Sequence, residues 1–86
     1  VPFVYIVRCA DGTYYTGWAA DVTRRVAAHN AGRGGRYTRN RRPVTLVYQE
    51  EAPDRGSAMR REAAIKGYGR KQKERLIARS AMAADP

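Results

Sequence analysis

The first nine residues, "VPFVYIVRC", alternate in the manner of a strand. Phe3, Tyr5, Val7 and Cys9 fall on one face, and Val4 and Ile6 on the other. Both faces are apolar, as expected of a central strand covered on two sides. Asp11-Gly12 predicts a turn, and "TYYTGW" a partner strand over 13–18. The spacing then lengthens to a helical period. Asp21 caps a helix predicted from Val22 to Ala31 and closed by Gly32, with Val22 and Val26 on its buried stripe. "GRGGRYTRNRRP", residues 32–43, breaks the pattern. It predicts a glycine-rich loop with five arginines and one short helical turn near Tyr37. "VTLVYQE" (44–50) predicts a third strand. "APDRGS" supplies the cap of a second helix, Ser57 to Lys66, with Ala58, Met59 and Ile65 as its apolar face. Gly67 and Gly69 bracket a break before a last helix in "RKQKERLIARSAMAA", with 79–86 expected to fray as a tail. The order is ββαβαα. It predicts one α+β domain over 1–86, a small three-stranded, mostly antiparallel sheet flanked by helices.

Several residues do not fit that pattern. On the first helix, at about 100° per residue, Arg24 points away from the stripe. Arg25 and His29, four apart, lie within about 60° of it on one edge. Taken singly, one reads as a snorkelling arginine and the other as a hydrogen-bonded core histidine. Together they form a candidate cationic corner. Glu62 sits in the middle of the second helix's apolar face, where carboxylates are rare without a partner. It either pairs with an arginine or points into a cleft to hold a hard cation. Tyr5 and Tyr15 stand on opposite arms of the hairpin. A two-residue Asp-Gly turn would put them on opposite faces. A three-residue loop with Gly12 in the left-handed region pairs Cys9 with Thr13 and Val7 with Tyr15, and puts both rings on one face. The bulged hairpin is therefore expected if they share a site.

Charge narrows the choice of partner. Seventeen basic residues, fourteen of them arginine, face eight acidic ones, a net charge of +9 on 86 residues. Such a surface attracts polyanions, and the arginine fork matches phosphate oxygens. Nucleic acid is the favoured partner. Anionic lipid is the weaker alternative, because no segment joins a basic face to a broad apolar one. No apolar run is long enough to span a bilayer, and no charged-then-apolar start reads as a signal peptide. Cys9 is the only cysteine, so no internal disulfide and no disulfide-linked partner is expected, and a reducing cytoplasm is the simple inference. The loop glycines lack the Lys-Ser/Thr of a phosphate-binding P-loop. Nothing in the spacing supports a Ser-His-Asp triad. Tyr37 among the loop arginines suits backbone contact plus base stacking.

These residues resemble the GIY-YIG nuclease domain in its small stand-alone bacterial form. Phe3-Val4-Tyr5 corresponds to the first signature segment and Tyr15-Thr16-Gly17 to the second. Arg25 with His29 matches the family's helix pattern. Glu62, within "RREAAIKGYGRKQK", matches its metal-binding glutamate. The resemblance runs from about Phe3 to Ile77. Phe3 replaces the first glycine and Thr16 the central isoleucine. The late asparagine of many relatives has no counterpart, since the chain has only Asn30 and Asn40.

The resemblance implies metal-dependent hydrolysis of nucleic-acid phosphodiesters, with DNA favoured and RNA the alternative. Glu62 would bind one Mg²⁺ or Mn²⁺, and Arg25 would donate to the phosphoryl oxygens. Tyr5 would take a proton from the attacking water, with nearby cations favouring its phenolate. Tyr15 and His29 would orient water and phosphate. Arg24, Arg33, Arg36, Tyr37, Arg39, Arg41, Arg42 and Lys66 would contact the nucleic acid. The rival is a non-catalytic DNA- or RNA-binding module using the same basic face, and Glu62 separates the two: a pure polyanion binder gains nothing from a carboxylate there.

Overall fold

The computed structural model describes residues 1–84, and the end of the tail expected over 79–86 reaches positions 85 and 86, which lie outside the described residues. The elements are β1 (Phe3–Arg8), β2 (Tyr14–Ala19), α1 (Val22–Asn30), α2 (Arg36–Arg39), β3 (Thr45–Glu51), α3 (Arg55–Lys66) and α4 (Arg70–Ala84). The three strands form an antiparallel sheet in the order β2-β1-β3, so β1 is central as its two apolar faces require. Tyr5, Val7 and Cys9 pack with Ala19, Val22 and Val44 on one side. Val4 and Ile6 pack with Ala52, Ala58 and Ile65 on the other. The two cores are separate, and the sheet divides them.

The hairpin is bulged. Val7 pairs with Tyr15, the Cys9 amide donates to the Thr13 carbonyl at 2.8 Å, and Gly12 has φ +84°. Glycine takes that left-handed conformation without the Cβ penalty other residues meet. Asp11 reinforces the turn by accepting from the Thr13 amide and hydroxyl. Those bonds hold its carboxyl below the usual carboxylate range. Tyr5 and Tyr15 therefore share a face.

A second irregularity lies between β1 and β3. Ile6 pairs with Tyr48 but Val7 pairs with Leu46, so Val47 is an extra residue. The bulge changes which face β3 serves. Val44 and Leu46 join the first core, whereas Val47 and Tyr48 join the second.

The helices keep to the expected boundaries within a residue or two, but one predicted face is wrong. Met59 is 53% exposed and does not belong to the apolar face of α3. It lies about 100° around the helix from Ala58, too far to share its stripe. Arg61 occupies the other edge, donating to Glu50 at 2.9 Å and to the Tyr68 hydroxyl at 3.2 Å. Among the described residues, no helix is long and apolar enough to cross a membrane.

Candidate active site

The pairing of Tyr5 with Gly17 sets the site's geometry. A Cβ on Gly17 would stand 2.5 Å from the Tyr5 hydroxyl oxygen and 2.7 Å from its Cζ. The missing side chain is what lets the Tyr5 ring cross β2, the edge strand. Its hydroxyl then reaches a groove of about 680 Å³. Tyr15 and Gly17 from β2, Arg25 from α1 and Glu62 from α3 line the same groove. Four elements thus bring together the phenols, the guanidinium and the carboxylate that the sequence singled out.

His29 is placed differently from the expectation. It is 0% exposed, at the centre of the α1 stripe rather than on its edge, and cannot touch a phosphate in the groove. Its Nε2 lies 2.9 Å from the Tyr5 hydroxyl and its Nδ1 2.7 Å from the Thr38 hydroxyl. Two polar partners make full burial of an imidazole tolerable. Tyr15 packs edge-on against the ring at 5.3 Å between centroids. Gly34 lies so close that any Cβ would overlap the imidazole. The histidine holds Tyr5 from behind.

Burial also reverses the expected ionisation of Tyr5. It pushes the phenol up to about 12, the neighbouring Tyr15 adds to the rise, and Arg25 offsets only part of it. The cationic surroundings therefore do not favour the phenolate in the protein by itself. Burial, and then the charge of Arg25, hold His29 below its ordinary 6.5. The imidazole is neutral at pH 7.

Glu62 keeps a side chain 20% exposed and has one ion-pair partner, Lys66 at 3.6 Å on the next turn. Arg61, the neighbouring arginine, is committed to Glu50 instead. Among the described residues, no group of three or more His, Cys, Asp or Glu is gathered for a metal. A lone groove carboxylate suits Mg²⁺ or Mn²⁺ held by one protein oxygen, with water and phosphate oxygens completing the shell. It does not suit a dedicated protein cage.

The arginine-rich loop is not the open segment its composition suggests. Asn30 clamps its base, donating to the Val44 carbonyl and accepting from the Val44 amide. Arg41, expected to contact nucleic acid, donates to Asp11 at 3.0 Å and to the Tyr37 carbonyl at 2.7 Å. Arg42 donates to the Arg39 carbonyl at 2.8 Å and lies against Gly32. A tight loop leaves carbonyls without backbone partners, and the five donors of a guanidinium satisfy some of them. Tyr37, expected to stack on a base, stacks on Tyr15 at 5.8 Å and lies 4.0 Å from the Arg41 guanidinium. Lys66 pairs with Glu62 and lies 5.9 Å from the Tyr15 ring. Arg24, Arg33, Arg36 and Arg39 are exposed.

Three contributors escaped the sequence reading. Trp18 and Arg55 line the groove beside Gly17 and Glu62, with the guanidinium 5.6 Å from the indole. An aromatic directly after "YTG" on an edge strand was the available signal. Thr38 gave none, being one polar residue among many in its loop.

The chain matches the family model described as the GIY-YIG catalytic domain over residues 1–75. It is 58% identical over 74 residues to a UPF0213 protein of Halobacterium salinarum, covering 86% of this chain and 96% of that one. It is 56% identical over 75 residues to a UPF0213 protein of Staphylococcus aureus, covering 87% and 92%. It is similar to the solution NMR structure of a UPF0213 protein from Bacillus halodurans, with 43% identity, TM-score 0.58 and coverage of 90% and 82%. A second NMR structure, of the protein EF2693 from E. faecalis, matches at 38% identity and TM-score 0.62, covering 93% and 85%.

The crossing of Tyr5 over Gly17 predicts opposite effects for two glycine-to-alanine changes. Gly17→Ala must displace the ring and break its bond to His29, an overpacking cost of about 1–3 kcal/mol. Gly56→Ala, on α3, meets its nearest atoms at 3.4 and 3.5 Å and should gain about 0.5–1 kcal/mol of helix stability. Melting curves should shift down for the first and up for the second. A Gly17→Ala protein melting at the wild-type temperature would mean the ring does not depend on that gap.

Proposed function

The chain belongs to the GIY-YIG family, and on that premise we propose that it is a metal-dependent endonuclease hydrolysing nucleic-acid phosphodiesters, with DNA in repair or recombination as its substrate. The convergence of Tyr5, Tyr15, Arg25 and Glu62 on one groove supports this reading most. A module that only binds polyanions gains nothing from a carboxylate facing the phosphate. A nucleic-acid substrate and a lone, buried Cys9 fit a cytoplasmic enzyme.

Glu62 would hold one Mg²⁺ or Mn²⁺, which when bound supplies polarisation of the phosphate and stabilisation of the leaving oxygen. Arg25 presents its fork to the non-bridging oxygens as charge builds on them. Tyr5 takes the proton of the attacking water. With a pKa of about 12, only about one phenol in 10⁵ is ionised at pH 7, so a free phenolate is a poor explanation. His29 supplies the other half. As the phenol oxygen accepts from water, its own proton passes along the 2.9 Å hydrogen bond to Nε2. The water oxygen bonds to phosphorus and the leaving oxygen departs to be protonated from solvent. The imidazolium then returns its proton to Tyr5, which releases the one taken from water to solvent. Arg24, Arg33, Arg36 and Arg39 supply the salt-sensitive grip on the strand.

Two outcomes test this. Glu62→Gln keeps the size of the side chain and removes its charge. Cleavage of a labelled substrate should fall by about a hundredfold or more, binding should persist or tighten, and melting should barely change, because the Lys66 pair is half-exposed and worth little. A stable variant cutting at the wild-type rate would remove the metal assignment. A wild type that binds branched, nicked and single-stranded substrates yet never cuts them with Mg²⁺ or Mn²⁺ would favour the binding module.

The second outcome is a pH profile. His29 must be neutral to accept the proton, and its pKa in the fold is below 6.5. Cleavage should be flat above about 6.5 and fall only as pH drops through that lower value. Stability should fall in the same direction, because the unfolded chain takes up the imidazole proton first. A rate that keeps rising toward pH 10 would point to phenolate chemistry without His29.

A further inference from the structure

We infer that Thr38 is a positioning residue of this site: its hydroxyl locks His29 in the Nδ1–H tautomer and so keeps Nε2 bare to receive the Tyr5 proton. The kinetic consequence rests on the endonuclease reading above, whereas the tautomer does not. Thr38 is 1% exposed, on the single turn of α2, within the loop whose composition suggests only strand binding. Its hydroxyl has one hydrogen and two lone pairs. The Gly35 carbonyl accepts from the Arg39 amide at 3.2 Å and lies 3.5 Å from the hydroxyl, in reach of a second, long bond. The Tyr5 phenol has His29 Nε2 as its one hydrogen-bond partner among the described residues, so its hydrogen points there and the 2.7 Å contact runs from Nδ1 to Thr38. A neutral imidazole carries one ring hydrogen, and once it sits on Nδ1 the other nitrogen is an acceptor. Tyr5 donates to it.

The groups around the ring agree with that direction. Tyr5 comes from β1, Tyr15 from β2, Arg25 from the preceding turn of α1, and Tyr37 and Thr38 from the loop. No carboxylate hydrogen-bonds either ring nitrogen among the described residues, so nothing there stabilises a resting imidazolium. In the opposite tautomer, Nε2–H would donate to the phenol oxygen and Thr38 to Nδ1. The Gly35 carbonyl would keep only its Arg39 amide, and the phenol hydrogen would have to find a partner in the groove. The loop's close approach at Gly34 fixes the ring plane, and Thr38 fixes the proton. The arginine-rich loop is on this account part of the chemistry as well as of the grip.

The chain has one histidine, so its ring nitrogens can be read without ambiguity in a ¹⁵N spectrum of the labelled protein. At pH 7.5 the wild type should show Nδ1 protonated and Nε2 bare. A wild type with the proton on Nε2 overturns the inference without any variant. Thr38→Ser keeps the hydroxyl and should keep both tautomer and rate. Thr38→Val removes it, and the ring should shift toward Nε2–H or a mixture. In the same variant kcat should fall about a hundredfold with KM unchanged. Retention of the pure Nδ1–H form in a folded Thr38→Val protein also overturns it. If the wild type cuts nothing, the endonuclease reading fails while the spectrum still decides the tautomer.

Discussion

The buried hydrogen bond between Tyr5 and His29 joins the strand that carries the phenol to the helix that carries Arg25, at 2.9 Å. In free-energy terms such a bond contributes only about 1 kcal/mol net, but leaving either partner unpaired inside the protein costs more. Much of the local structure follows from keeping it. The three-residue hairpin loop is needed because a tighter turn would put Tyr15 on the far side of the sheet. Gly17 is needed because the Tyr5 ring crosses it. Gly34 is needed because the loop lies against the imidazole. The second core, on the other side of the sheet, carries none of these constraints and would tolerate ordinary repacking.

Legibility in the sequence followed the physics of each element. The central strand was visible because both its faces are apolar, and the hairpin register because only the three-residue loop at Asp11-Gly12 puts Tyr5 and Tyr15 on one face. The bulge in β3 was not visible. It depends on which of Val44, Leu46, Val47 and Tyr48 each core has room for, and no local pattern encodes that. Met59 misled because methionine tolerates water while Arg61 found two polar partners. His29 was read as an edge residue because periodicity sees polarity but not a partner twenty-four positions away. Thr38 and the loop-bonded Arg41 and Arg42 were hidden for a related reason. Composition gives a loop's charge, whereas the hydrogen bonds that decide which charges face outward are set by its closure.

The charge distribution gains meaning from that closure. Arg41 and Arg42 satisfy loop carbonyls and Asp11, and Arg70 donates to the Gly12 carbonyl at the hairpin turn. These guanidinia hold the frame. Arg24, Arg33, Arg36 and Arg39 remain exposed. The guanidinia behind the +9 net charge thus differ in what they bond rather than in depth, since Arg42 and Arg70 are exposed as well, and salt should weaken chiefly the set that grips the strand.

The phenol hydroxyl of Tyr5 is the atom on which the account turns, and Tyr5→Phe removes it while keeping the ring over Gly17. Cleavage and binding on one labelled substrate with Mg²⁺, beside a melting curve, measure its role. Tyr5→Phe should fold, be about 1–3 kcal/mol less stable because the buried Nε2 loses its partner, retain binding, and cut about a hundredfold or more slowly. A Tyr5→Phe protein that cuts as fast as the wild type would contradict it.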